Sequence, residues 1–333
     1  MFSSYRRHII HLCCFAIFLL IFEIVAGGIV LSPWTDFFQP SSSIISNPIE
    51  YYGLFSTIVI YFIRLLSLLP LPLVICHTCG LVLYNIFPER PELRNSPLLG
   101  PKIHIRVVTR GDYADLVRTN VRRNLETCAK VGLTNFQLEI VTDKPISLAG
   151  LPLNIVRELV VPSDYRTKTG ALYKSRALQY ALEPDVNQLS SDDYIVHLDE
   201  ETLLTENSVR GILNFVNSNE YDIGQGLITY ANKTIVNHIT TLADSMRVGV
   251  DLGCLRFCLK YLHRPPFLFK GSFVVCRAAC EFEVTFDNGR AGSIAEDTYF
   301  AMSAMAKNKK FGWIEGLYIE LGNLVRPNIR GIF

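Results

Sequence analysis

The 333-residue sequence has almost no net charge: 32 Lys and Arg face 31 Asp and Glu, a formal +1. A protein that neutralises phosphates along a nucleic acid needs a basic excess or stripe, so nucleic acid is excluded as a partner. The sequence also lacks the even, regularly spaced cysteines of a disulfide framework. Its nine cysteines are scattered, several inside apolar runs, which fits a reducing environment around the main domain. Cys76-x-x-Cys79 has the spacing of a redox pair but lies in a long apolar run. Cys254, Cys258, Cys276 and Cys280 have three-residue gaps and apolar neighbours, which favours buried thiols over zinc ligands. No small-residue cleavage site follows a short apolar core near the N terminus, so the first apolar run is expected to be retained as an anchor. Lys and Arg are absent from residues 32–52.

What is present falls into two regimes. The mean hydropathy of +0.25 comes almost entirely from residues before 88. Residues 9–31 form an apolar run of spanning length, broken by His11 and Glu23. A second run covers residues 54–87, interrupted by Arg64, Pro70 and Pro72. The expectation is an N-terminal membrane region over 1–87, with one span at about 9–31. An interfacial helix near 53–63 and a span at about 65–87 would follow. Glu23 would then face another helix. Arg6 and Arg7 precede the first run, and Arg90, Arg94, Lys102 and Arg106 follow the second. That distribution places both ends of the hairpin, and the domain after it, in the cytosol. Two spans in the second run would reverse the domain to the lumen. Only there would the sequon at 232–234 be used, so it reads as chance. Residues 88–101, rich in proline and charge, read as a linker.

From residue 102 the pattern changes to short β-branched runs alternating with amphipathic helices, the mark of an α/β domain. Strands are expected at 103–108, 136–141, 153–161 and 194–198, and helices at 115–131, 170–182 and 299–307. Ligands collect at the carboxyl ends of parallel strands in such sheets. Here Asp112, Asp143 and Asp199 each follow a strand; alternatively each caps the next helix. Asp199-Glu200-Glu201 is the sharpest local feature. Carboxylates spaced i, i+2 at a strand end can turn toward one hard cation, Mg²⁺ or Mn²⁺, shared with substrate phosphates. The competing reading is an acid-rich helix start. A second acidic pair, Glu296-Asp297, precedes a helical run. Ser293 with Glu296 would make a capping box, leaving Asp297 as a general base.

The two acidic motifs have the order and separation found in inverting family-2 glycosyltransferases. Several long runs resemble, more specifically, the egghead family of β-1,4-mannosyltransferases: RVVTRGDY (106–113), YRTKTGALYKSRALQYALE (165–183), HLDEETLLTENSVRGI (197–212), GQGLITYAN (224–232), FKGSFVVCR (269–277), FDNGRAGSIAEDTYFAM (286–302) and WIEG (313–316). The resemblance covers about residues 102–316 and implies a GT-A nucleotide-sugar-binding domain there, preceded by N-terminal transmembrane helices. It implies transfer of mannose from GDP-mannose to glucosylceramide, with inversion, at a Golgi or ER membrane. Carried over residue by residue, Asp199 and Glu201 would hold Mg²⁺ or Mn²⁺ on the diphosphate, and Asp112 and Asp143 would line the nucleotide pocket. Lys174 would face the diphosphate, Gly271 and Ser272 would let backbone approach the donor sugar, and Asp297 would take the acceptor's proton.

The family continues past W-I-E-G into a Q-x-x-R-W element and further hydrophobic helices. No Gln-x-x-Arg-Trp follows Asp297 here, and residues 317–333 form a divergent tail. Two alternatives therefore stay open. One is a truncated, non-catalytic membrane protein that binds nucleotide-sugar or a full-length partner. The other is a different family-2 transferase, such as a ceramide glucosyltransferase using UDP-glucose.

Overall fold

β-Branched alternation makes Ile103–Thr109 (β1) a strand, and a three-to-four apolar spacing makes Ala114–Val131 (α5) the helix that packs on it. Val117, Val121, Cys128 and Val131 are its buried stripe. In the computed structural model the described residues are 2–25, 48–66, 69–87, 90–98, 100–230 and 238–320. The chain divides into two units, Met1–Phe87 and Pro88–Phe333.

The N-terminal unit holds Phe2–Val25 (α1), Pro48–Tyr52 (α2), Leu54–Leu66 (α3) and Leu71–Leu83 (α4). The expected transmembrane helices are not found: no helix among the described residues is long and apolar enough to cross a membrane. The reasons are local. α1 uses its first turns on Ser3, Ser4, Arg6, Arg7 and His8, and its apolar part is broken by His11 and Glu23. The second run is not one helix, because Pro70 and Pro72 start a new one at Leu71. Its two helices of 13 residues are each about 20 Å long, against about 30 Å of hydrocarbon. The expected interfacial helix and second span are thus replaced by two short helices. The end of the first run and the loop after it, 26–47, lie outside the described residues, as do the sequon and the tail beyond 320.

The second unit is a mixed α/β domain on one eight-stranded sheet, in the order β3-β2-β1-β4-β7-β6-β8-β5. The further strands are Phe136–Thr142 (β2), Val156–Val160 (β3), Tyr194–Asp199 (β4), Thr202–Leu203 (β5), Ile223–Thr229 (β6), Val274–Arg277 (β7) and Phe311–Glu320 (β8). Strands β3, β2, β1 and β4 run parallel, so their carboxyl ends share one edge. β7 lies antiparallel between β4 and β6. Its amino end therefore reaches the same edge, and residues preceding it join residues that follow the others. This mixed α/β sheet fits the GT-A-like domain expected from the sequence.

One sheet face is covered by α5 and Glu206–Ser218 (α7); Ile103, Ile105 and Val107 pack there with Val209, Ile212, Leu213 and Val216. The other face carries Tyr173–Tyr180 (α6), Ala278–Val284 (α9) and Glu296–Ala306 (α10). His238–Val250 (α8) continues into π-helical turns at Asp251–Leu255 and Cys258–Leu262, whose Leu255 and Leu259 pack with Phe300 and Phe311.

Under α6 and α9 the sheet buries charge. Glu139, Arg106 and His197 stand side by side on β2, β1 and β4. Arg106 donates to Glu139 at 2.9 Å and to Glu281 of α9 at 2.9 Å, and His197 Nε2 lies 2.6 Å from Glu281. Removing one member of such a network leaves an uncompensated buried charge, at a cost of about 3–5 kcal/mol.

Candidate functional site

Three of the four parallel strands, β1, β2 and β4, deliver their ends to one cleft of about 490 Å³. After β1 the chain turns at Gly111, at φ +81°, where a Cβ would stand 2.6 Å from the Lys144 carbonyl; only glycine fits. That turn presents Asp112, which accepts from Lys144 Nζ at 2.5 Å. The hydrogen bond and charge of Lys144 hold the Asp112 carboxyl below its ordinary range. Asp143, directly after β2, accepts from Arg176 Nη2 at 2.5 Å. Asp199 closes β4 and accepts from Lys174 Nζ at 2.5 Å. Asp112, Asp143, Lys174, Asp199 and Glu201 all line this cleft.

None of the three aspartates caps a helix. The N-cap of α5 is Tyr113, without a side-chain bond, and α7 begins at Glu206 behind a Thr205–Ser208 capping box. The acidic triplet is therefore no helix start. Within it, Glu200 reaches back to accept from Thr109 Oγ1 at 2.5 Å. Two buried asparagines one turn apart on α5 hold the segment from behind. Asn120 donates to the Glu200 carbonyl at 2.8 Å and Asn124 to that of Thr202 at 3.1 Å, while Leu204 N donates to Asn124 at 2.8 Å. Their signal in the sequence is a polar residue recurring on the apolar stripe of a helix.

Lys174 joins this cleft to a second, small hollow of about 20 Å³, roughly the room of one water. Its Nζ also donates to the Gly271 carbonyl at 3.2 Å and stands 3.6 Å from Glu296. Burial pushes the Lys174 pKa down, but Asp199, Glu296 and Asp297 outweigh it and hold it above its ordinary value, so the side chain stays charged. Burial raises the Glu296 carboxyl against the pull of Lys174. The hollow is bordered by Asp297, Gly271 and His197 and walled by Phe269, Phe286 and Phe300. A Cβ on Gly271 would stand 3.1 Å from Lys174 Nζ and 3.4 Å from Asp297 Cβ, so the backbone approaches closely there. Ser272 Oγ accepts from the Asp199 amide at 3.3 Å and lies 3.0 Å from Thr202 Oγ1.

The capping box expected of Ser293 and Glu296 does not form. α10 starts behind Ala295 without a side-chain cap. Ser293 instead donates to the Gly289 carbonyl at 2.7 Å and accepts from Leu172 N at 2.8 Å. Glu296 is thereby turned to Lys174. Cys254, Cys258, Cys276 and Cys280 are buried free thiols.

Among the described residues no three His, Cys, Asp or Glu side chains converge as a ready-made metal site. Asp199 and Glu201 are two carboxylates beside open cleft space. That donor set suits Mg²⁺ or Mn²⁺ when phosphates and water complete the shell.

Comparison with known proteins comes down on one family. Residues 194–327 match the family described as Glycosyl transferase family group 2. The chain is 51% identical over 318 residues to Beta-1,4-mannosyltransferase egh of Drosophila melanogaster, covering 96% of this chain and 68% of the fly protein. It is 50% identical over 274 residues to Beta-1,4-mannosyltransferase bre-3 of Caenorhabditis elegans, covering 82% of this chain and 60% of that protein. Against the bre-3 protein of Caenorhabditis briggsae the coverage is 91% and 63%. This chain thus spans about two thirds of the length of these relatives. Among solved structures, mannosyltransferase PcManGT from Pyrobaculum calidifontis, in complex with GDP-Man and Mn²⁺, is 14% identical with a TM-score of 0.44, over 78% of this chain and 68% of that one.

Proposed function

The chain belongs to the egghead-type β-1,4-mannosyltransferases of glycosyltransferase family 2, and on that premise we propose that it transfers mannose from GDP-mannose to the glucose of glucosylceramide, with inversion. The observation that carries this reading is the position of Lys174. Its ammonium contacts Asp199 at the end of β4 and the Gly271 carbonyl beside Asp297, so the donor cleft and the acceptor base form one site.

In this reading the nucleoside diphosphate occupies the wide cleft, where Asp112 and Asp143 border the nucleoside. Lys174 faces the diphosphate. Asp199 and Glu201 would hold Mg²⁺ or Mn²⁺, which when bound offsets the charge on the departing diphosphate. The acceptor hydroxyl approaches Asp297 from the face opposite the diphosphate. Its oxygen bonds to the anomeric carbon as the carbon–phosphate-oxygen bond breaks, its proton passes to the Asp297 carboxylate, and GDP leaves. A single displacement inverts the anomeric centre and forms no covalent enzyme intermediate. The low-polarity walls of Phe269, Phe286 and Phe300 exclude water that would otherwise hydrolyse the donor.

The test is transfer of labelled mannose from GDP-mannose to glucosylceramide, with Mn²⁺ and then with chelator. Transfer that needs the cation and yields a β-1,4 product is expected. Transfer from UDP-glucose to ceramide, or none with GDP-mannose, would overturn the reading.

A further inference from the structure

Among the described residues of the run 224–232 no side chain lines the cleft or the hollow, yet Gln225 grips the loop that joins them. Gln225 sits on β6, fully buried, opposite Val274 of β7 and Trp313 of β8. Its Nε2 donates to the Lys270 carbonyl at 2.9 Å and to the Ser272 carbonyl at 3.3 Å, and its Oε1 accepts from Lys270 N at 3.2 Å. One amide therefore brackets Gly271 on both sides. The neighbouring Gly226 provides the second constraint: a Cβ there would stand 2.3 Å from the ring of Phe273. Phe273 is buried and left-handed at φ +54°, a costly conformation for a bulky residue that only surrounding structure maintains. The loop is thus fixed at 270 and 272 by hydrogen bonds and at 273 by shape.

We infer that Gln225 is a positioning residue of the transfer reaction, acting through the 270–272 loop. That loop supplies the Gly271 carbonyl to Lys174 and the Ser272 hydroxyl to the Asp199 amide, and it passes against Asp297. Holding it fixes the distance between the donor-side carboxylate and the base. A reacting geometry displaced by about 1 Å costs on the order of a hundredfold in rate.

Two variants test this, Gln225→Glu and Gln225→Leu. The first keeps the acceptor for Lys270 N but sets an oxygen against two carbonyls; the second removes the bracket. Hydrogen exchange should quicken at residues 270–272 and at the Asp199 amide while the rest of β6 and β7 is unchanged. In both, kcat should fall about tenfold to a hundredfold, with the KM for GDP-mannose within about threefold of wild type, the signature of lost transition-state rather than uniform binding. Unchanged exchange in the loop, a wild-type kcat, or failure of Gln225→Glu to fold each overturns the inference; the last would make Gln225 a residue of the domain rather than of the loop. The inference rests on the mannosyl-transfer reading for its kinetic arm only. A wild-type chain that transfers no mannose sinks that reading, and the exchange pattern alone then decides this one.

Discussion

The cleft and the hollow on either side of Lys174 are opposites in physical character. The cleft offers about 490 Å³, its aspartates come from strand ends, and each is matched by a cation from a distant segment. The hollow offers about 20 Å³ and is walled by three phenylalanines, with its carboxylates at the start of one helix. Exposed ion pairs are weak and screened, so Lys144 exchanges Asp112 readily for a ligand's phosphates. A narrow, apolar-walled hollow strengthens each electrostatic contact and admits little besides the group that reacts. Binding a large charged donor and moving one proton make different demands, and each demand has its own compartment here.

The sharpest way to break that comparison is Asp297→Ala. Loss of the base should lower mannosyl transfer by about 10²–10⁴-fold while leaving GDP affinity, measured calorimetrically with Mn²⁺, nearly unchanged. A parallel collapse of GDP binding would mean that the two compartments are one. Lys174→Met attacks the joint instead. With the ammonium gone, Asp199, Glu296 and Asp297 lose their shared counter-charge, and both transfer and GDP affinity should fall, the latter by about tenfold for a charged contact of about 1.5 kcal/mol. Transfer lost with affinity retained would assign Lys174 to the hollow alone.

Two smaller effects concern the ground beneath the hollow. Glu281→Ala should destabilise the domain by about 3–5 kcal/mol in urea unfolding, since it takes the buried carboxylate from Arg106 Nη1 and His197 Nε2. The change also has a pH signature. Burial opposes charge on Glu281, but His197 and Arg106 prevail and keep its carboxyl below the ordinary 4.5. Its contribution is therefore complete above that value and is lost as pH falls through the lower, folded one. The difference between wild type and Glu281→Gln should shrink on acidification. Asp251, paired with Lys270 at the first π turn, behaves in the opposite sense. Burial raises its carboxyl to about 6 despite Lys270. The folded state then binds the extra proton between about 4 and 6, so this group favours folding as pH falls toward 5. Asp251→Asn should remove that slope, and a difference curve flat from pH 7 to 5 would contradict the assignment.

Much of the α/β domain was legible in the sequence, because its central strands are short, β-branched and closed by acidic residues. The strand expected at 194–198 is found at Tyr194–Asp199, and that at 153–161 is trimmed to Val156–Val160, where pairing with β2 is in register. The helix expected at 170–182 contracts to Tyr173–Tyr180, since Gly170 at φ +80° turns the chain ahead of it. The parts that escaped depend on tertiary partners. Periodicity gave no sign that β7 would run against its neighbours. Asn120, Asn124 and Gln225 resemble misplaced polar residues until the carbonyls they satisfy are in view. The second N-terminal run misled because hydropathy counts residues, whereas Pro70 and Pro72 decide how many of them share one helix.

The antiparallel insertion of β7 has a consequence for how the chain is made. β4 and β6 are 23 residues apart in sequence, from Asp199 to Ile223 including neither, yet they do not pair, because the space between them is reserved for residues 274–277. A chain emerging in order from its N terminus carries one bare edge on β4 and another on β6 until that short strand arrives. Unpaired edges of this kind are where nascent sheets recruit one another. The strand that closes these two edges also delivers Gly271 and Ser272 to the end of β4, while Glu296, Asp297 and β8 follow later in the chain.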